Sequence, residues 1–304
     1  MRNLIIKKYF NNDLTRIIAK YDYYIEGKAD KILRGDNNSI RFINILPNGQ
    51  IVSGSNDKTL IIWKLNGEID KILRGHTSCI TCISVLPNGQ IVSGSWDQTL
   101  IIWNLNGEID NILRNHIDYI TCIYVLRNGQ IVSGSNDKTL IIWNLNGEID
   151  KILRGHTDCI RCVSVLSNGQ IVSGSVDKNL IIWKLNGEID KIFIGHTSCV
   201  TCINVLPNGQ IVSGSVDKTL IIWKLNGEID KILIGHTDFV RCISFLPNEQ
   251  IVSGSSDKTL IIWNLNGEID KILRDHTDCI RCVKTLPNGR IVSGSDDNTL
   301  IIWK

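Results

Sequence analysis

The chain has 304 residues, of which 43% are hydrophobic and 21% are charged, and this composition is typical of a globular protein. Its formal net charge is only +2, so composition gives no reason to expect binding to nucleic acid or to an anionic membrane. No apolar run approaches the roughly 20 residues of a membrane span, and charges interrupt the N-terminus before a signal-peptide core could form. We expect an intracellular protein, cytoplasmic by default with the nucleus as the alternative, whose ten cysteines are reduced thiols.

Residues 1–26 form a short N-terminal segment that precedes the repetitive part of the chain. Within it, the stretch DLTRIIAK places Leu14, Ile17 and Ile18 on one face at helical spacing, and Asp13 can cap the first turn. This spacing predicts an amphipathic helix of two turns. Three alternatives for the segment stay open: a helix packed on the repeats, an adaptor-binding helix, or a frayed terminus.

Residues 27–304 are organised by a period of 40 residues. The segment IVSGSxDxxLIIW recurs seven times, with its last tryptophan at Trp63, Trp103, Trp143, Trp183, Trp223, Trp263 and Trp303. One unit of this size cannot bury its own apolar faces, whereas stacked units can. The period predicts a single all-β domain over residues 27–304, a β-propeller with seven blades.

Turn signals divide each unit into four short strands. In the second unit they predict strands over 80–86, 90–95, 99–105 and 108–113, separated by Pro-Asn-Gly, Trp-Asp-Gln and Asn-Gly. The strands are rich in Ile, Val, Leu and Trp, and none is long enough for a globular helix. The fourth strand carries charges in its GEIDKIL sequence, which suits an outermost edge that must not pair with other chains.

The two ends of the repeat array predict how the ring closes. The seventh unit stops after its third strand, at Lys304, while GKADKILRG at 27–35 matches the fourth-strand sequence GEIDKILRG at 67–75. We therefore expect the N-terminal strand to pair in the last blade and complete the ring.

The sequences GHTDCIRCVSVL and IVSGSVDKNLIIW, within residues 155–183, resemble repeats of the WD40 family. The resemblance implies a hydrogen-bonded structural tetrad of His, Ser, Asp and Trp in each blade, which would give the buried indole, hydroxyl and imidazole their partners. The matching residues are His76, Ser93, Asp97 and Trp103; His116, Ser133, Asp137 and Trp143; His156, Ser173, Asp177 and Trp183; His196, Ser213, Asp217 and Trp223; His236, Ser253, Asp257 and Trp263; and His276, Ser293, Asp297 and Trp303.

Two features depart from the family pattern. The residue after each tryptophan is Lys or Asn instead of the family's Asp, so the name-giving dipeptide is absent. Blade 1 has Asp36 at the position of the tetrad histidine. Asp36 would face Asp57 with no donor between them, which predicts that blade 1 is the least stable blade.

Two chemical interpretations of these residues compete with the structural interpretation. His, Ser and Asp could form a hydrolase triad, but the set occurs six times, whereas an enzyme needs one exposed nucleophile. Cys-x-x-Cys pairs such as Cys79 and Cys82 supply zinc-type ligands, but the copies lie on separate blades. Phe42 occupies the second cysteine position in blade 1, which favours an apolar core site. We expect no catalytic residue, no metal and no cofactor.

Several of the differences between the copies fall at three positions: three and five residues after the histidine, and directly before the turn aspartate. The resemblance implies that these side chains lie on the top face, around the mouth of the central channel, where the family usually docks partners. Aromatic and arginine side chains carry much of the binding energy at interfaces. The predicted partner-binding residues are Trp96, Tyr119, Phe239, Arg41, Arg161, Arg241, Arg281 and Asp296.

These residues predict a non-enzymatic scaffold that binds peptide segments of partner proteins. Arginine clusters suit a carboxylate or phosphate, and the copies GHTDCIRC and GHTDFVRC resemble those of F-box/WD40 proteins. That resemblance implies a narrower alternative, a ubiquitin-ligase subunit that recognises acidic or phosphorylated degrons. An enzyme built on the propeller ranks lower, because no blade carries a unique set of acid, base or metal ligands. Nucleic-acid binding is the weakest reading, because the pI is near 8.0.

Overall fold

The computed structural model describes residues 29–33, 39–64, 66–286 and 288–303, and in these ranges every helix or strand element is a β-strand. The strands form seven four-stranded antiparallel sheets, one per blade. Blades 1 to 3 contain β2 (Ile40–Ile45), β3 (Ile51–Ser55), β4 (Thr59–Trp63) and β5 (Ile69–Arg74); β6 (Ile80–Val85), β7 (Ile91–Ser95), β8 (Thr99–Trp103) and β9 (Ile109–Arg114); and β10 (Ile120–Val125), β11 (Ile131–Ser135), β12 (Thr139–Trp143) and β13 (Ile149–Arg154).

Blades 4 to 6 repeat the arrangement, and blade 7 combines the two ends of the chain. They contain β14 (Ile160–Val165), β15 (Ile171–Ser175), β16 (Leu180–Trp183) and β17 (Ile189–Phe193); β18 (Val200–Val205), β19 (Ile211–Ser215), β20 (Thr219–Trp223) and β21 (Ile229–Ile234); β22 (Val240–Phe245), β23 (Ile251–Ser255), β24 (Leu260–Trp263) and β25 (Ile269–Leu273); and β26 (Ile280–Thr285), β27 (Ile291–Ser295), β28 (Leu300–Trp303) and β1 (Ala29–Leu33). The prediction of an all-β seven-bladed propeller is confirmed.

The strand ends differ from the predicted ends by one or two residues. In blade 2, Leu86 belongs to a turn, because its N–H donates to the carbonyl of Gln90 at 2.8 Å. Asn104 begins the next turn in the same way, donating to Glu108 at 2.9 Å. Hydrogen bonds across the turns therefore end these strands before their apolar sequence ends.

Position in the blade explains the composition of each strand. The second and third strands, IVSGS and TLIIW in blade 2, are buried throughout because they have sheet neighbours on both edges and neighbouring blades on both faces. In the fourth strand, β9, only Leu113 is buried. The charged fourth strand is the outermost strand of each blade, as expected.

The ring closes through the N-terminal strand. β1 pairs antiparallel with β28, with Leu33 opposite Leu300 and Ala29 opposite Trp303. Leu33 and Leu300 also pack in one cluster with Ile40 of blade 1. The first strands of successive blades contact one another around the whole ring, β26 with β2 included, so the prediction of ring closure is confirmed.

Each hydrophobic cluster is shared by two neighbouring blades. Between blades 2 and 3, for example, Val92 and Leu100 pack with Ile120 and Trp143. A Cβ on Gly94 would lie 2.7 Å from the Cys82 sulfur and 2.7 Å from the Ile120 Cγ2, so only glycine lets the sheets approach this closely. Burial of one large apolar side chain stabilises the fold by roughly 1.5–3 kcal/mol. The side chains of these clusters become buried only when neighbouring blades pack against each other.

The antiparallel strands define two faces of the disc. The top face carries the connection between blades and the turn between the second and third strands, which Thr77 N–H and Asp97 Oδ2 join at 2.9 Å in blade 2. The bottom face carries the other two turns of each blade. There Gln90 Nε2 donates to Asp110 Oδ2 at 2.9 Å.

Three of the predictions concern residues outside the described ranges. The predicted helix over residues 13–20 and the boundary at residue 26 lie outside them, as does Asp36. Among the described residues, no helix reaches the length and hydropathy that a membrane span requires.

Candidate functional site

A chain of hydrogen bonds links the tetrad residues in blades 2 to 7. In blade 2, the Trp103 indole N–H donates to Ser93 Oγ at 2.8 Å, and His76 Nε2 lies 2.8 Å from the same oxygen. His76 Nδ1 lies 2.8 Å from Asp97 Oδ2. The charged Asp97 carboxylate can only accept, which assigns a proton to His76 Nδ1. In that tautomer Nε2 accepts from the Ser93 hydroxyl, whose oxygen accepts from the indole. The corresponding distances in the other five blades are between 2.7 and 2.9 Å.

The tetrad aspartate is held as a charged acceptor. Asp97 accepts from the Thr99 hydroxyl at 2.6 Å and from the Thr77 N–H at 2.9 Å, in addition to His76. Burial alone would raise the pKa of Asp97, but the hydrogen bonds from His76 and Thr99 outweigh it and hold this pKa well below its usual range. In the five other tetrad aspartates burial likewise raises the pKa, and hydrogen bonds, first from the histidine, outweigh it. A threonine hydroxyl adds to the lowering in four of them, whereas Asp177 has Asn179 in place of the threonine.

The tetrad serines are inaccessible to a substrate. Ser93 has no exposed surface, and neither have the five serines at equivalent positions. Each hydroxyl already contacts an indole and an imidazole. In blade 1, Trp63 donates to Ser53 at 2.9 Å, while the residue at the histidine position lies outside the described ranges. The tetrad is thus a structural layer that ties the top connection to the interior of each blade.

The two cysteines of each Cys-x-x-Cys sequence lie in different surroundings. Cys82 is buried against Gly94, whereas the Cys79 sulfur lies 3.5 Å from the Asn56 carbonyl of the preceding blade. Burial raises the pKa of the equivalent Cys122 thiol to about 12, which makes it a poor nucleophile. All ten cysteines are free, and no cluster of three or more metal-ligating side chains occurs among the described residues. Phe42 packs in the apolar clusters instead.

Blades 2 and 3 present an aromatic shelf, which we define as Trp96 and Tyr119. Their rings stack with centroids 5.3 Å apart and an interplanar angle of 23°. Trp96 is 38% exposed and Tyr119 is 41% exposed, which is unusual for rings of this size in a propeller whose other tryptophans, within the described ranges, are buried. The shelf offers a flat apolar surface at the top mouth.

Blades 6, 7 and 1 present an arginine arc, which we define as Arg241, Arg281 and Arg41. Burial lowers the pKa of Arg41 and of Arg241, and in both cases the charge of Arg281 lowers it further. This coupling places Arg281 within electrostatic reach of both neighbours. All three guanidinium groups stay charged at neutral pH, so the arc is a concentration of positive charge.

The members of the arc differ in what they bond. Arg281 Nε donates to Asp296 Oδ2 at 2.7 Å, and its Nη2 contacts the same oxygen. Burial alone would lower the pKa of Arg281, but Asp296 raises it. By contrast, Arg41 donates to the neutral Asn56 and Arg241 to the neutral Ser256, each at 2.8 Å. Arg41 and Arg241 therefore have no carboxylate at hydrogen-bonding distance among the described residues, and the charge of Asp296, with that of Asp238 for Arg241, acts on them only from further away.

Asp296 has a second oxygen with a different environment. Its Oδ1 is buried and has no hydrogen-bond partner among the described residues. An acceptor of this kind is costly to leave unpaired. Asp296 therefore compensates Arg281 through one oxygen, while its other oxygen is enclosed by the protein.

The remaining predicted residues lie further from the centre of the arc. Phe239 packs its ring against Arg241, with the guanidinium carbon 5.1 Å from the ring centroid. Arg161 is exposed on blade 4; it lies near Cys199 of blade 5, where burial raises the pKa of the thiol and the charge of Arg161 opposes that rise. The structure does not bring Arg161 together with Arg41 and Arg281.

Blades without an arginine at this position use threonine for a structural contact. Thr81 Oγ1 lies 3.0 Å from the Gly94 carbonyl and 2.6 Å from the Ile120 carbonyl of the next blade. Thr121 makes the equivalent contacts with Gly134 and Ile160. Threonine at this position joins two blades, whereas Arg41, Arg241 and Arg281 each bond to the residue before the turn aspartate of their own blade.

Sequence reasoning missed one exposed residue beside the shelf. Ile117 is 82% exposed and lies two residues before Tyr119. The sequence marks Ile117 as an exception, because all other copies with a tetrad histidine have threonine at this position. Asn136 was also missed as a polar group: its N–H donates to the Tyr119 carbonyl at 2.9 Å, while its Oδ1 is buried without a partner among the described residues.

Comparison with known families matches the whole repeat array. The family model described as "WD domain, G-beta repeat" matches residues 27–64, 67–104, 107–144, 147–184, 187–224, 227–264 and 267–304. A search of curated proteins found no match.

Proposed function

Since the chain belongs to the WD40 repeat family, whose propellers generally mediate protein–protein interactions, we propose that it is a scaffold that binds a peptide segment of a partner protein across its top face. One observation carries the proposal: the arginine arc and the aromatic shelf, which vary between otherwise near-identical copies, lie on neighbouring blades along the top of the ring. A path runs from the arginine arc, through Cys79 beside Arg41, to the aromatic shelf, because the Cys79 carbonyl accepts from the Trp96 N–H at 3.1 Å.

The two ends of the path suit different parts of one peptide. The arginine arc suits a carboxylate or a phosphate, since planar guanidinium groups pair with both, and Arg41 and Arg241 have no acid at hydrogen-bonding distance in the described residues. The aromatic shelf suits an apolar or aromatic side chain.

The proposed function needs no catalysis. The tetrad repeats a nucleophile–base arrangement, but its serines are buried and already hydrogen bonded. Binding energy at the mouth is sufficient for a scaffold, which acts by holding a partner in place.

The narrower alternative is a substrate-recognition subunit of a ubiquitin ligase. The arginines of blades 1, 6 and 7 and the copies GHTDCIRC and GHTDFVRC support it. The ion pair between Arg281 and Asp296 weakens it, because the ligand would have to compete with an internal acid. It predicts that ligase adaptors co-purify with the full chain and are lost when residues 1–26 are deleted. It also predicts that phosphatase treatment of the partner abolishes binding.

The chain supplies its own control substitutions for a test. Trp96→Val, Tyr119→Cys, Arg41→Thr and Arg241→Thr each introduce the residue that another copy holds at the same position, so the fold should be kept. Affinity purification with the wild type and with this quadruple variant should recover partners that only the wild type retains. A synthetic peptide from such a partner should bind the variant at least about 30-fold more weakly, as expected for loss of roughly 2 kcal/mol. Equal recovery of the same proteins with both baits would refute the top-face proposal.

A further inference from the structure

A cavity of about 770 Å³ lies on the bottom face, opposite the arginine arc and the aromatic shelf. Its floor is formed by the last residues of first strands that line the channel, among them Val125, Val165 and Phe245. From there it extends between blades 3 and 4, along Leu126 and Leu166. The surface of the cavity is therefore largely apolar where it is deepest.

The cavity coincides with a local break in the repeat. Five copies have proline in the turn after the first strand, but blades 3 and 4 have Arg127 and Ser167 there. Blade 3 also has Tyr124 at a position where the other copies have Asn, Ser or Lys. All three of these exceptional residues line the cavity. In an array this uniform, three departures at one place distinguish the groove between blades 3 and 4 from the equivalent sequence positions of the other blades.

The rim of the cavity is positively charged. Arg127, Lys151 and Lys184 line it, against a single acid, Asp150. Lys184 pairs with Glu188 at 3.3 Å, and Lys151 donates to the Leu185 carbonyl at 2.8 Å. Arg127 is exposed, and no carboxylate pairs with it within the described part of the chain. The rim thus keeps a free guanidinium beside an apolar groove.

Tyr124 adds a neutral donor to this charge. Burial raises the pKa of its hydroxyl, and the neighbouring charge of Arg127 opposes that rise without cancelling it. The phenol therefore stays protonated at neutral pH and can donate a hydrogen bond near Arg127.

We propose that this cavity is a second docking site, which takes a partner peptide that carries an apolar side chain next to a carboxylate. The apolar side chain fills the groove between Leu126 and Leu166, and the carboxylate pairs with Arg127 and accepts from Tyr124. Binding here is independent of the top face, because the two surfaces lie at opposite ends of the channel.

Charge argues against the chain's own N-terminal segment as the occupant. Ala29 pairs with Trp303, so the chain enters the last blade from the bottom face. However, residues 1–26 carry five basic and three acidic side chains, a poor match for a rim with three bases and one acid. A partner with an acidic residue fits the rim better.

The test uses the full chain and a phage library of random dodecamer peptides as the probe. The matched control is the triple variant Tyr124→Ser, Arg127→Pro, Ser167→Pro, which gives blades 3 and 4 residues that other copies hold at these positions. We expect enriched peptides to share an apolar residue next to Asp or Glu. A fluorescent synthetic peptide of that sequence should bind the triple variant at least ten-fold more weakly than the wild type.

Two further variants control for misfolding and for binding at the top face. Arg127→Glu changes one exposed side chain, so it should fold and should weaken binding at least ten-fold even if the triple variant fails to fold. Arg41→Thr with Arg241→Thr, on the top face, should leave binding unchanged. The proposal is overturned if no peptide is enriched on the wild type relative to the triple variant. It is also overturned if sedimentation velocity shows a dimer that Arg127→Glu dissociates, because a second copy would then be the occupant.

Discussion

The tetrad layer and the top mouth lie only a few residues apart in each repeat. The layer is constant among the copies of the repeat, whereas the mouth varies from copy to copy. Ser93 has no exposed surface and repeats in every described blade, whereas Trp96, three residues later, is 38% exposed and occurs once among seven copies. A residue in the layer must satisfy buried partners on both sides, so any change leaves a polar group unpaired. A residue at the mouth has solvent on one side, so the same backbone position accepts Trp, Val, Asn, Ser or Asp. A rigid array of near-identical blades can therefore carry a surface that differs from blade to blade.

The largest expected effect is in the tetrad layer. Trp223→Ala removes a fully buried indole and deprives Ser213 of its donor at 2.7 Å. The free energy of unfolding should fall by about 3–5 kcal/mol. Urea denaturation followed by circular dichroism measures this loss. The matched change at the mouth, Trp96→Ala, should cost less than about 1 kcal/mol, and an equal loss in the two variants would break the distinction between layer and mouth.

Acid should weaken the layer through its aspartates. Their pKa values are depressed in the folded state, so on acidification the unfolded chain takes up protons first. This stabilisation is fully present above about pH 5 and is lost as the pH falls through about 3.9, the ordinary aspartate value, and below. Denaturation midpoints between pH 7 and pH 3 should decline in the wild type. They should decline less steeply in Asp97→Asn, which is already destabilised at pH 7; parallel curves would contradict the assignment.

Blade 1 offers a natural exception within the layer. Its sequence has Asp36 where six blades have histidine, so it lacks the imidazole that bridges Ser and Asp elsewhere. Asp36→His should raise the free energy of unfolding by about 1–2 kcal/mol. Hydrogen exchange measures the local effect: amides of β3 should exchange faster than those of β15 in the wild type and approach them in the variant. Equal protection of blades 1 and 4 in the wild type would show that blade 1 is not the least stable.

The smallest effect concerns a bottom-face turn that belongs to neither region. Glu249 has φ +71°, a left-handed conformation that glycine adopts at this position in the other copies. Glu249→Gly should stabilise by about 1 kcal/mol, and Gly209→Glu should destabilise by a similar amount. Gly209 is a clean control, because a Cβ there would meet no atom within 4 Å. Thermal denaturation of both variants should give shifts of opposite sign; shifts of the same sign would rule out backbone strain as the cause.

The period of the sequence predicted most of the fold. Each unit can bury its apolar faces only against the next unit, so the seven units must stack side by side. Counting the strands of each type then predicted seven blades and closure of the ring by the N-terminal strand. The family motif gave the tetrad residues. The turns were less predictable: Leu86 has strand-like sequence but a turn hydrogen bond.

The two mouths were predicted less completely. Sequence comparison among copies identified Arg281 and Asp296 but not their direct ion pair, since pairing depends on rotamers and on which residue lies across the strand. It also missed the bottom cavity. That groove depends on Arg127 and Ser167 from successive blades, and no pattern within one repeat shows that they border one space.

We propose that the constant layer holds the ring together while the variable mouth binds the partner. The most direct measurement compares Ser93→Ala with Trp96→Ala, using urea denaturation for stability and fluorescence anisotropy for binding of a top-face peptide. Ser93→Ala should lower the free energy of unfolding by about 1–3 kcal/mol and leave the affinity of the folded protein unchanged. Trp96→Ala should weaken binding at least ten-fold with little loss of stability. If Ser93→Ala weakens binding by the folded protein as much as Trp96→Ala does, the division between layer and mouth is wrong.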